Sequence, residues 1–236
     1  MDYFRNIVLV AAIAGVLAGL GMTIAQQLAT VPLILKAEVY EEQGTTAPHD
    51  HGDAAAQPLA HEHEHGGWQP ADGFERTAFS ALANIVTGVG FALLLVAASE
   101  LAGGIANWRQ GVFWGLAGFA VFTLAPSLGL PPELPAMPAA ELGARQLWWV
   151  ATALSAAAAL ALMFYGRTPL AIVAAVALLF APHLVGAPEP ASYDTPIPEG
   201  LHHSFVVAVV LTALLFWVLL GALAGLFRGR FIHASG

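Results

Sequence analysis

The sequence predicts an all-α, polytopic transmembrane helical bundle of about six hydrophobic helices, and three observations carry that prediction. Hydrophobic residues make up 58% of the 236 positions and charged residues only 10%, well under half of the roughly 25% charged residues of soluble domains. Six apolar stretches, residues 6–29, 78–102, 111–128, 146–165, 168–185 and 204–227, approach the roughly 20 residues a helix needs to cross a hydrocarbon core of about 30 Å. Between the first two stretches the composition changes abruptly. The chain therefore divides into a first transmembrane helix with an extension beyond the membrane (1–40), a His/Asp/Glu-rich external loop (41–77) and a transmembrane bundle of about five helices (78–236).

The first stretch exceeds the 7–15 residues of a signal-peptide core and no small-x-small site closes it, so it is expected to span rather than be removed. Past Pro32 the string LILKAEVYEE continues as a helix that the proline kinks toward the bundle axis. Glu38 and Glu42 then share a face as an i, i+4 pair, with Glu41 beside them. These carboxylates suit the passing of an ion from loop to pore; an ordinary solvated helix end is the alternative. The third and fifth stretches are the shortest and carry late prolines, Pro126 and Pro182. Either can be re-entrant or buried, which makes five spans the alternative count.

With six spans both termini share a side, and Arg5, Arg109, Arg167, Arg228 and Arg230 fall there in short segments. Lys36, Arg76 and Arg145 are spread through longer loops opposite. The excess of basic residues in short cytoplasmic loops places both termini in the cytoplasm and the long loops outside. Of sixteen acids only Asp2 and Glu100 lie inward, and of nine histidines only His233. The outer face is anionic and rich in imidazole. Trp108 beside Arg109, and Trp148 and Trp149 beside Arg145, are placed at opposite membrane interfaces.

Three pairs of glycines at i, i+4, Gly15 and Gly19, Gly111 and Gly115, Gly221 and Gly225, allow close helix approach. All three fall in the cytoplasmic half of the expected topology, which leaves the bundle wider outside. Met22 and Gln26 continue the Gly15–Gly19 face, with Gln27 adjacent, and Ser80, Asn84 and Thr87 form a stripe on the second span. Polar side chains in lipid face the bundle interior. The two stripes line a shared polar path or simply hydrogen-bond helix to helix. Glu100, at the inner end of the second span, is an exit ligand or a solvated interfacial group.

Metal chemistry concentrates in residues 41–72, where His49, Asp50, His51, Asp53, His61, Glu62, His63, Glu64 and His65 stand among glycine, alanine and proline. Imidazole and carboxylate together suit divalent cobalt, nickel or zinc. In extended chain His61, His63 and His65 fall on one edge, with Glu62 and Glu64 opposite. A solvated acidic linker is the bland alternative. His183 after Pro182, and His202 and His203 at the start of the sixth stretch, lie on the same side and are further ligand candidates. HEHEH also fits H-E-x-x-H, but Gly66 and Gly67 follow it at once and the zinc-protease mechanism needs a rigid helix. The chain has no cysteine, which removes thiolate sites and disulfides. Its single lysine, Lys36, lies in no P-loop, no G-x-S-x-G string occurs, and eight basic residues make a nucleic-acid surface a poor fit. A membrane permease is expected rather than an enzyme, and a non-transporting metal sensor or metallochaperone is the rival.

The order of features resembles the CbtA family of cobalt transporter subunits. The resemblance is carried by AGLGMTIAQQLATVPLILKAEVYEE from Ala18, the histidine-rich insert, ANIVTGVGFALLL from Ala83, GLAGFAVFTLAPSLGLPPELP from Gly115, ARQLWWVATA from Ala144 and PHLVGAP from Pro182. It spans nearly the whole chain, and LGLPPELP, RQLWW and PHLVGAP are its most specific strings. It implies five spans, cobalt(II) as the transported ion, supply of cobalamin synthesis, a bacterial cytoplasmic membrane and a small one-span His-rich partner, CbtB. The residues alone say divalent metal, with nickel(II) or zinc(II) possible and a homo-oligomer open.

Overall fold

The structure, a computed structural model, describes residues 2–45, 70–71 and 73–232. All regular structure among these residues is helical: α1 (Asp2–Ala29), α2 (Val31–Thr45), α3 (Phe74–Leu101), α4 (Trp108–Phe119), a π-helical turn (Ala120–Leu124), α5 (Ala125–Ser127), α6 (Leu142–Tyr165), α7 (Pro169–Val185) and α8 (Glu199–Ile232). Each of the six hydrophobic stretches is helical. Among the described residues α1, α3, α6 and α8 are long and apolar enough to cross a membrane, and α7 is a shorter apolar helix. The protein is thus a polytopic helical bundle.

Four helices form its centre, in antiparallel pairs set by glycine. A Cβ on Gly88 of α3 would lie 2.5 Å from the Gly15 carbonyl oxygen of α1, and one on Gly19 2.6 Å from that of Asn84. Gly111 and Gly115 of α4 likewise meet Gly221 of α8 backbone to backbone. The expected glycine pairs are therefore true contact points, and in lipid such close packing is a main source of helix association. Helices α1 and α8 also pack together. Between the pairs lies a core of Val10, Ala14, Ala18, Ala92, Val96, Phe119, Phe216, Trp217 and Leu220. Helices α6 and α7 form a second hairpin beside it; Val121, Ala153 and Ala156 join α6 to the π turn.

The prolines act as local chemistry requires. Pro126 has no N–H to continue the ladder, and the turn before it widens so that the Ala125 amide bonds to the Ala120 carbonyl. Pro182 leaves the Leu178 carbonyl without its helical donor, and the Ser155 hydroxyl of α6 donates to it at 2.7 Å. Thr30 breaks α1 from α2, with Pro32 in the first turn of α2. One face of α2, Leu33, Ile34, Ala37 and Tyr40, then packs on Leu134, Ile197 and Phe205, so the extension caps the bundle end.

Helix α2 runs to Thr45 and α3 begins at Phe74, so both helices reach into residues 41–77. Trp148 is buried rather than placed in an interfacial belt: its indole N–H donates to the Pro182 carbonyl at 3.3 Å and its ring lies edge-on to His183 at 5.8 Å. The Pro182 carbonyl, which also accepts from the Gly186 amide at 3.1 Å, gives the indole a partner inside the hairpin. Trp108 is exposed, with the Arg109 guanidinium 5.5 Å over its ring.

Candidate functional site

The helix periodicity of α1 carries Gly15, Gly19, Thr23 and Gln26 along one face, and antiparallel α3 opposes it with Gly88 and Asn84. The Asn84 amide donates to the Gln26 side-chain oxygen at 2.6 Å and to the Thr23 hydroxyl at 3.1 Å. Thr23 in turn donates to the Gly19 carbonyl at 2.9 Å. One turn past Thr23 on α1, the Gln27 amide donates to the Thr77 hydroxyl at 3.2 Å. Of the two expected polar stripes, Gln26 and Asn84 meet, as a hydrogen bond from helix to helix. Met22 packs against the apolar core, Ser80 is half-buried and Thr87 is exposed. Thr23 and Thr77 were missed by sequence reasoning, although Thr23 stands one turn after Gly19 on the same face.

Beyond this cluster α2 brings Glu38 to Arg76, the residue before Thr77. The guanidinium donates to both carboxylate oxygens, at 2.5 and 3.3 Å. The pair ties α2 to α3 across the insert that separates them in sequence. Glu41 and Glu42 follow on α2 and are exposed. His49, Asp50, His51, Asp53, His61, Glu62, His63, Glu64 and His65 lie outside the described residues.

The other histidines stay apart. His183 lies against Trp148 in the α6–α7 hairpin. His202 sits near the start of α8, where its Nε2 is 3.1 Å from the Pro132 carbonyl oxygen. A carbonyl only accepts, so Nε2–H is the donor in this contact. His203 is exposed. Among the described residues no three His, Asp or Glu side chains come together as a metal-holding group.

At the opposite end of the bundle, where α1 starts and α8 finishes, a cluster forms that the sequence did not announce. Arg228 of α8 donates through Nε to Glu100 Oε1 at 2.6 Å, through Nη2 to Oε2 at 3.0 Å, and through Nη1 to the Ile105 carbonyl at 2.8 Å. The Tyr3 hydroxyl of α1 donates to the same carboxylate. Glu100 is therefore held in an ion pair rather than simply solvated at an interface. Its signal in the sequence was a single acid near an arginine-bearing span end, but the two are far apart in the chain.

The family model described as "Probable cobalt transporter subunit (CbtA)" matches residues 4–229. No curated protein and no solved structure matches the chain.

Proposed function

Because the chain belongs to the CbtA family of probable cobalt transporter subunits, we propose that it forms the membrane path by which divalent cobalt enters the cell, the ion being captured first by the donor-rich segment between α2 and α3. The observation that carries this reading is where that segment is rooted. Its flanks, α2 and α3, are clamped by Glu38–Arg76 immediately beyond the Gln26–Asn84–Thr23 cluster, so an ion released there meets the polar seam of α1 and α3.

On this reading both termini are cytoplasmic, in a bacterial cytoplasmic membrane. His49, Asp50, His51, His61, Glu62, His63, Glu64 and His65 take the ion, and Glu41 and Glu42 guide it. Glu38 does so only when Arg76 releases it. His183, His202 and His203 offer single imidazoles near the mouth. Gln26 and Asn84, flanked by Met22, Gln27, Ser80 and Thr87, line the way in, where amide oxygens replace part of the ion's hydration shell. Cobalt so imported supplies cobalamin synthesis, and a one-span CbtB-like partner or a second copy of the chain completes the transporter.

Uptake of radiolabelled cobalt into vesicles containing this chain, with and without the partner, tests the proposal. Deleting residues 49–65 raises the cobalt concentration needed for half-maximal uptake and leaves the maximal rate; unchanged uptake at every concentration rejects capture. Capture requires neutral imidazole, so it weakens as pH falls below about 6.5. Nickel or zinc outcompeting cobalt would reassign the ion and keep the architecture.

A further inference from the structure

The path face of α3 does not end at Asn84. Asn84, Gly88, Ala92, Leu95 and Ser99 recur at helical spacing, and the last four of them are buried. The face leads from the amide cluster, past the backbone contact of Gly88 with Gly15, to Glu100 at its far end. There the Glu100 carboxylate and the Ile105 carbonyl put their oxygen atoms around the Arg228 guanidinium, and the Tyr3 hydroxyl donates to that same carboxylate. The seat is shaped for that group. Gly104 has φ +81°, and a Cβ there would collide with the guanidinium.

An arginine held by a carboxylate and a carbonyl oxygen is a cation in a cation's ligand set. Carboxylate and carbonyl oxygens also accept a divalent transition ion, without the grip of thiolate or of several imidazoles. Such a site suits an exit, where an ion must bind well enough to arrive and weakly enough to leave. The same pair, with Tyr3, joins α1, α3 and α8, so its rupture frees the inner ends of three helices at once.

We propose that Arg228, Glu100 and Tyr3 form the closed inner gate of the cobalt path, in which Arg228, as a tethered cation, occupies the carboxylate that the ion takes over on leaving. This rests on the transport reading above and on the termini end being cytoplasmic. It assigns Glu100 as the last ligand and Arg228 as its competitor.

The chain has no cysteine, and Ser99, behind the gate, is fully buried. Ser99→Cys therefore provides one reporter thiol. The full chain carrying it is reconstituted in vesicles and treated on both sides with a water-soluble cationic thiol reagent, with and without cobalt(II) chloride. Labelling is slow without cobalt and accelerates about tenfold with it, as a shift from a closed to an open population demands. Added Arg228→Gln gives fast labelling without cobalt. Added Glu100→Gln gives fast labelling that cobalt no longer changes. Arg228→Lys keeps the cation and restores slow labelling.

Equal labelling of the folded Arg228→Gln protein and its parent overturns the gate. So does a parent rate indifferent to cobalt in vesicles that take cobalt up. If Arg228→Gln does not fold, the parent's response to cobalt and the Arg228→Lys rate decide. Vesicles that take up no cobalt remove the transport reading and the gate with it, a result distinct from uptake with an unmoved gate.

Discussion

Each end of the bundle holds an arginine–glutamate pair joining helices, but the two ends hold them under different conditions. At the end shared by α1 and α8, the side chains of Arg228 and Glu100 are only 9% and 19% exposed. Tyr3 and the Ile105 carbonyl complete their hydrogen bonding. At the opposite end Arg76 and Glu38 are 33% and 30% exposed, and Arg145 and Glu133, paired at 2.8 Å, are 30% and 25% exposed. Water screens a half-exposed pair, whereas a buried one leaves an uncompensated charge when either partner goes. Chemically similar pairs can therefore make one end firm and the other yielding.

The sharpest way to break the comparison is Arg228→Gln. It strands the Glu100 carboxylate among buried groups and should lower stability by about 3–5 kcal/mol, read as a fall in the unfolding temperature of the purified protein in detergent. Glu38→Gln is the counterpart and should cost only about 0–1 kcal/mol. Its difference from the parent should shrink further near 1 M salt, where the Debye length is about 3 Å. Equal losses at the two ends would remove the distinction.

The smallest effect sharpens the picture of the yielding end. The Glu141 carboxylate accepts from the Gly143 and Ala144 amides at 2.8 and 2.6 Å, capping α6. These bonds, that of Gly143 first, hold its pKa below the ordinary 4.5. A folded-state pKa that is depressed contributes stability above the unfolded value and loses it as pH falls through the folded one. Glu141→Gln should therefore lower the unfolding temperature slightly at neutral pH, with the gap closing as pH falls below the ordinary 4.5 and through the lower folded-state value. A gap that persists there would mean that the cap acts through shape rather than charge.

Much of this molecule was legible in one dimension. The six apolar stretches coincide with helices because partition into lipid depends on a local run of side chains. Helix ends were less legible: α3 starts before its apolar stretch because Phe74, Glu75 and Arg76 are helical without being part of a hydrophobic run. Gln26 and Asn84 could be picked out as costly polar groups in lipid, yet nothing local distinguished Asn84, which reaches α1, from Thr87, which faces outward. The small-residue pairs marked where helices approach without naming the partner. Gly15 and Gly19 meet α3, whose Gly88 has no second glycine one turn away, while Gly111 and Gly115 meet Gly221.

The sequence by itself determined that this chain lies in lipid as a bundle of helices, with most of its acids and histidines gathered in the segments between them. Only the tertiary structure decided that Arg228 closes on Glu100 and Tyr3, and that Glu38 belongs to Arg76. Hydrophobicity adds up residue by residue along the chain. An ion pair between distant helices depends on how each is rotated and how closely it packs, and those follow from all the contacts together.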